Sequence, residues 1–287
     1  MTNINNFLNP FEAYTIPLDD WINEAIAFIV DRFRPFFQTI SLPIRWVLEN
    51  IERFFSAIPP LIFILVVALI AWKWAGKKTA LYSIICSVSI GSIGVWSQAM
   101  VSLSLVITAV MFCLVVGIPV GVICAKSDRA ERIIRPLLDV MQTLPSFVYL
   151  VPVVMLFGIG EVPGVIATII FAIPPLIRLT NLGIRQVSSE VTEAAISFGS
   201  TPWQLLWEAQ IPLAMPTILA GVNQAILMAL SMSVITSMIA VEGLGQMVLQ
   251  GVGRLDVGLA AIGGIGIVLL AIMLDRLTQA ISTSDRY

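Results

Sequence analysis

The sequence predicts an all-α integral membrane protein of about seven transmembrane helices preceded by amphipathic helices. Three observations carry that reading. Hydrophobic residues make up 58% of the 287 residues and charged ones only 12%, whereas soluble domains are roughly 45–50% apolar. Apolar runs close to the roughly 20 residues needed to cross a bilayer recur along the chain. Lysine and arginine are distributed unequally over the segments between those runs.

The first 57 residues differ from the rest. Trp21, Ile22, Ala25, Ile26, Ile29, Phe33, Phe36 and Phe37 alternate with Asp20, Glu24, Asp31, Arg32 and Arg34, the pattern of an amphipathic helix. A second such piece runs from Ile44 to Phe55. Neither has the basic start, clean apolar core and small-residue cleavage site of a signal peptide. Both are expected to lie as interfacial helices on the outer surface, with contact to a peripheral partner as the alternative. Residues 1–57 thus form an amino-terminal unit and 58–287 the membrane unit.

Spans are expected at 58–72, 79–97, 99–125, 136–157, 162–180, 215–241 and 258–274. Only Gln98 and its small neighbours separate the second from the third. Pro174 and Pro175 are expected to kink the fifth. With the amino terminus outside, the cytoplasmic segments hold Lys73, Lys77, Lys78, Lys126, Arg129, Arg132, Arg135, Arg178, Arg185, Arg276 and Arg286, and the outer loops only Arg254. This asymmetry places the carboxyl terminus inside.

Other chemistry is poorly supplied. Cys86, Cys113 and Cys124 lie in apolar runs without a CxxC pattern and read as small buried hydrophobes. Histidine is absent, which removes the commonest general base and metal ligand. No G-x-x-x-x-G-K-[ST] phosphate loop occurs, so ATP, if used, must bind another chain.

Between the fifth and sixth spans, residues 186–213 carry the helix–turn–helix SEVTEAAISFGSTPWQLLWEAQIPL. Ser189 is the expected N-cap, Glu190 suits the first turn, and Gly199 can take the left-handed conformation that ends the helix. Thr201, Pro202 and Gln204 spell the cap, first position and capping-box partner of a second helix. Ala194 and Ala195 leave a low-profile patch for close packing. From Gln186 to Leu213 there is no Lys or Arg, and Glu190, Glu193 and Glu208 are acidic, so nucleic acid is excluded as a partner. The hairpin either packs only on its own protein or receives a soluble one.

Glu193-Ala194-Ala195, then Gly199, then Ile211-Pro212-Leu213, resembles the EAA loop of permease subunits of binding-protein-dependent ABC importers. Ala209 and Ile211 depart mildly from that pattern in side-chain size. The resemblance extends over RPLLDVMQTLPSFVYLVPVV, LAMPTILAGVNQAILMALSM and IPLDDWINEAIAFIVDRFRPFFQ, and so over nearly the whole chain, to permeases of glycine betaine/proline importers that serve osmoprotection. It implies a type I importer fold, a permease homodimer, two copies of an ATP-binding subunit that hold ATP-Mg, and an extracytoplasmic glycine betaine-binding protein. The location implied is a bacterial cytoplasmic (inner) membrane. Glu193, Ala194, Ala195, Gly199, Pro202, Ile211 and Pro212 would then couple the permease to its ATPase, and this chain would bind no cofactor itself.

Polar side chains inside spans are costly unless they face protein or water. Gln142, Ser146 and Tyr149 are expected on one face of the fourth span near Pro145, and Gln224, Met228 and Ser231, with Asn223 beside them, on the sixth. Either stripe could line the translocation pathway, and either could equally be interhelical glue. Gly258, Gly263, Gly264 and Gly266 read as close helix packing, and Trp72, Trp74 and Trp96 as interfacial anchors. A quaternary ammonium ligand is best held by an aromatic cage, and no intramembrane Trp/Tyr cluster offers one. The glycine-rich outer loop 242–257 is a candidate for receiving the binding protein through Arg254 and Asp256, with an internal salt bridge as the alternative.

An ion-coupled secondary transporter or channel is the main rival. It would be favoured by intramembrane carboxylates, of which the spans offer only Asp139 and Asp275 near their ends. A membrane enzyme lacks any credible nucleophile–base pair.

Overall fold

The computed structural model describes residues 17–284, and every element among them is helical. The first 16 residues of the expected amino-terminal unit and Arg286 lie outside the described residues. In chain order the helices are α1 (Leu18–Ala57), α2 (Pro60–Ser92), α3 (Trp96–Lys126), α4 (Asp128–Thr143), α5 (Leu150–Phe157), α6 (Glu161–Arg185), α7 (Ser189–Ser197), α8 (Pro202–Ile239), α9 (Leu244–Arg254) and α10 (Val257–Ser284). Of these, α2, α3, α6, α8 and α10 are long and apolar enough to cross a membrane.

The expected count of seven is compatible with these five once two departures are included. The runs at 58–72 and 79–97 fall largely within α2, which changes direction at Gly76 (φ 80, ψ 174). Thirty-three residues of straight helix would separate Phe63 from Trp96 by about 50 Å, yet their rings lie 5.4 Å apart. The chain therefore doubles back at Gly76, beside Lys73, Lys77 and Lys78. The break before α3 falls not at Gln98 but at Ile93–Val95, where Gly94 adopts φ +78.

The run at 136–157 is not one helix. Proline disfavours helical backbone at the residue before it, and Leu144, before Pro145, is extended with ψ 134. An irregular turn over 144–149 divides amphipathic α4 from the short α5.

The amino-terminal segment departs as well. The two amphipathic pieces are one continuous helix, α1, with Pro35 and Pro43 inside it. Its second half is more than interfacial, because Ile44 and Leu48 are buried against Leu105 and Ala109 of α3 and Val162 and Val165 of α6.

The centre of the molecule is the packing of α3, α6 and α8. Lipid is as apolar as leucine, so helices gain affinity for one another mainly by close approach. Gly117 and Gly121 of α3 receive Leu176 and Thr180 of α6, Gly183 of α6 receives Ala214 and Thr217 of α8, and Gly221 of α8 receives Leu176 and Leu179. Pro174 and Pro175 sit buried inside α6, which continues through them. Faces that meet nothing remain apolar, as on α2 with Leu61 and Leu65 and on α10 with Val268.

Helix α8 begins in the expected second half of the hairpin and runs into the sixth span. Between them Leu205–Gln210 forms a π-helical turn, in which the Ile211 amide reaches back five residues to the Leu206 carbonyl. This widening falls where the Pro212 ring would otherwise crowd the carbonyl four residues before it.

The expected outer loop at 242–257 is mostly helix. Gly245 lets α9 sit directly on the backbone of Ser233, and Gly263 and Gly266 of α10 receive Leu244. Gly264 has open space around it and Gly258 meets only the Asp256 carboxylate, so the close-packing expectation holds for two of those four glycines.

Candidate functional site: the exposed hairpin and the polar cleft

The hairpin is held by its own backbone chemistry. The cap of α7 is Ser188, one residue earlier than expected, and its hydroxyl accepts the Glu190 amide at 3.2 Å. At the other end Gly199 takes φ +86. Its amide donates to the Ile196 carbonyl (2.9 Å) and that of Ser200 to the Ala195 carbonyl (3.0 Å), the paired bonds of a Schellman ending. The capping box is present: the Gln204 amide donates to Thr201 Oγ1 (3.3 Å) and the Thr201 amide to Gln204 Oε1 (2.9 Å), with Pro202 at the first position.

These bonds hold a surface that the chain itself leaves uncovered. No residue of α7 is buried; Glu193 and Ala194 are exposed and Ala195 is half-buried. Phe198 is 91% exposed, Trp203 69% and Trp207 52%, with the two indole rings 5.5 Å apart. Exposed aromatic side chains of this size are characteristic anchors of protein interfaces. Beneath them Leu206, Ala214 and Ile218 form a buried cluster with Ile184, against which Ile211 packs, while Pro212 is exposed. Lys126 Nζ, at the end of α3, donates to Gln210 Oε1 at 2.6 Å and ties the hairpin base to the core.

The intramembrane polar residues separate into different roles. Gln142, Ser146 and Tyr149 do not share a helical face, because α4 ends at Thr143 and the other two lie in the turn. Tyr149 is buried against Leu150, Val153, Ala167 and Met232, and its hydroxyl has no partner among the described residues. Asn223 joins helices: its amide donates to Asp275 Oδ1 (2.6 Å), and its oxygen accepts from Thr278 Oγ1 (2.9 Å). Gln224 and Ser231 are exposed on α8, and the Ser231 hydroxyl donates to its own helix at the Leu227 carbonyl.

Gln142 belongs to a group that the sequence did not reveal. Arg178 of α6 donates through Nη1 to Gln142 Oε1 (2.9 Å) and through Nη2 to Asp139 Oδ1 (2.6 Å), both on α4. Nearer the end of α6, Arg185 bonds Asp128 (2.7 Å), Glu131 (3.0 Å), Asn181 (2.9 Å) and the Cys124 carbonyl (2.9 Å). Of these, Cys124, Glu131, Asp139, Arg178, Asn181 and Arg185 line a cavity of about 340 Å³, with Gln142 and Asp128 behind its wall-lining arginines. The available signal was the occurrence of opposite charges within two successive apolar runs.

Arg254 and Asp256 lie at the α9–α10 junction, both exposed. Among the described residues no ion pair joins them. Asp256 instead caps α10, its Oδ1 accepting the Leu259 amide at 3.0 Å.

Comparison with known proteins places this geometry. Residues 117–284, from mid-α3 through α10, match the family model of the binding-protein-dependent transport system inner membrane component. The chain is 57% identical to the glycine betaine/proline betaine transport system permease protein ProW of Escherichia coli (strain K12), over 98% of this chain and 79% of that protein. It is 46% identical to the glycine betaine/carnitine transport permease protein GbuB of Listeria monocytogenes (93% and 95% covered). Identity is 42% to the glycine betaine transport system permease protein OpuAB of Bacillus subtilis (94% and 96% covered). Among solved structures, an inward-facing MetNI methionine ABC transporter chain superposes with a TM-score of 0.62 at 18% identity, over 67% of this chain and 96% of that one, which establishes the type I importer permease fold. The matched model, the relatives and the shared fold agree: the chain belongs to the family of inner membrane components of binding-protein-dependent transport systems.

Proposed function

We propose that this chain is the membrane pathway of an ATP-driven importer of compatible solutes, namely glycine betaine, proline or related quaternary amines, and serves osmoprotection. The observation that carries the reading is the uncovered hairpin, which combines a rigid capped backbone with exposed Phe198, Trp203 and Trp207 in a chain whose near relatives are named betaine permeases. Glu193, Ala194, Ala195, Gly199, Pro202, Ile211 and Pro212 form or support the docking element for an ATP-binding subunit. Rigid-body motion of that element opens and closes the pathway.

In this reading the chain works as a homodimer with two ATPase subunits, which hold ATP-Mg and perform all the chemistry; the permease carries no catalytic residue. Gln142, Ser146, Tyr149, Asn223, Gln224 and Ser231 are the candidate pathway residues, with Gln142 and the exposed faces of Gln224 and Ser231 favoured over Asn223, whose amide is committed to α10. An extracytoplasmic binding protein docks near Arg254 and Asp256. The amino terminus lies outside and the carboxyl terminus in the cytoplasm, a reading supported by the basic residues at the α2 turn.

ATP-dependent uptake of labelled glycine betaine into vesicles containing this chain, its ATPase and its binding protein, with each omitted in turn, tests the whole reading. Uptake should need all three. Uptake by this chain alone would make it a carrier.

A further inference from the structure

Arg135, Arg178 and Arg185 line the cavity between α4 and α6, and the last two form carboxylate pairs that differ in how tightly they are held. Arg185 is bonded to Asp128, Glu131, Asn181 and the Cys124 carbonyl, so its position is over-determined. Arg178 has Asp139 and Gln142 as its partners. The side chains of Arg178 and Asp139 are 41% and 56% exposed, although Arg178 lies seven residues, about 10 Å, inside the end of α6. Both side chains line the cavity, so the exposed part of the pair faces water or a polar passenger there rather than lipid.

We propose that this cavity is a zwitterion-exchange site, in which Arg178 takes the carboxylate of a passing substrate and Asp139 its ammonium group while their own pair opens. The proposal rests on the importer reading above. A zwitterion carries the same two charges as the pair it displaces, so the exchange leaves neither charge unpaired. A guanidinium presents a planar fork to a carboxylate, and Gln142, fixed near Met228 of α8, keeps one edge of that fork oriented. Exposed ion pairs are weak, so opening this one costs little and the substrate is not trapped. The volume of about 340 Å³ is at the lower end of the roughly 300–1,000 Å³ of small-ligand pockets. Hydrophobic Ile134, Leu138 and Ile177 on its wall suit the methyl groups of a quaternary amine.

Binding is read on the assembled permease–ATPase complex without its binding protein, and uptake on the same complex in vesicles with the binding protein supplied. Saturation-transfer NMR compares glycine betaine with choline, which keeps the quaternary ammonium but lacks the carboxylate. Wild-type complex should give a betaine signal several-fold above that of choline. Arg178→Gln should abolish the betaine preference and lower uptake at least about tenfold, while Asp139→Asn should weaken both ligands. If Arg178→Gln fails to assemble, Arg178→Lys retains the charge without the fork and should reduce the betaine preference without removing it. Betaine binding unchanged in Arg178→Gln, or in Arg178→Lys where only that variant assembles, overturns the proposal, as does a wild-type complex that transports betaine yet shows no preference over choline. Failure of the wild-type system to take up betaine at all would instead sink the importer reading.

Discussion

Glycine serves opposite purposes in the membrane core and in the hairpin. At Gly121, Gly183 and Gly245 the absent side chain is what matters, because a Cβ would collide with Thr180, Thr217 or the Ser233 backbone. At Gly199 a Cβ would meet nothing, and the requirement is the backbone angle of φ +86. Between spans, stability depends on how closely two surfaces approach. In the hairpin, no residue of α7 is buried, and shape depends on caps that satisfy the chain's own amides.

Substitutions in the two regions should therefore fail in different ways. Gly245→Val forces a side chain into the backbone of α8 and should cost about 3 kcal/mol or more, seen as loss of folded protein in detergent. Gly183→Val meets the Cβ atoms of Thr217 and Ala214 less closely than Gly245 meets the Ser233 backbone and should cost about 1–3 kcal/mol, seen as a lower Tm with residual transport. Gly199→Val should add about 1–2 kcal/mol of backbone strain, confined to the hairpin. It should leave the melting of the spans unchanged while ATPase binding and transport fall. Gly199→Asn, which tolerates the left-handed region, should retain most activity. If Gly199→Val instead lowers the Tm of the whole protein, the hairpin is part of the core and the contrast fails. Thr201→Ala removes the capping box and should destabilise the start of α8 by about 1 kcal/mol, detectable as faster amide exchange at Gln204 without loss of folded protein. The smallest effect is expected at the exposed Glu49–Arg53 pair of α1, where Glu49→Gln should change stability by no more than about 0.5 kcal/mol.

The same contrast explains what was legible in the sequence. The caps of the hairpin could be read almost to the residue, Ser188 replacing Ser189, because their signals lie within a few positions of the atoms they bond. The membrane class and most spans were equally plain. Pro145 was seen, but its consequence was not: a face drawn through Gln142, Ser146 and Tyr149 assumed a helix that Pro145 ends. Glycine weakens isolated helices, so the glycine-rich stretch after Val241 does not read as a helix along the chain, yet Gly245 and Gly251 of α9 permit close contact with the Ser233 and Ala260 backbones. Arg178 reads along the chain as a cytoplasmic charge; the opposite charge of Asp139 in the preceding apolar run is a signal of pairing, but only the packing of α4 on α6 brings the two together.

By itself, the sequence determined that the chain enters a membrane, where its helices begin and end at strong caps, and that the hairpin can stand without burial. These outcomes follow from composition and from backbone sterics acting over one helical turn. The tertiary structure decided the fold-back of α2 that brings Phe63 to Trp96, the packing of α1 against α3 and α6, and the pairing of Arg178 with Asp139. Those depend on which helix lies beside which, and apolar faces that are nearly interchangeable in sequence become distinct only when small residues and buried polar groups meet their partners in space.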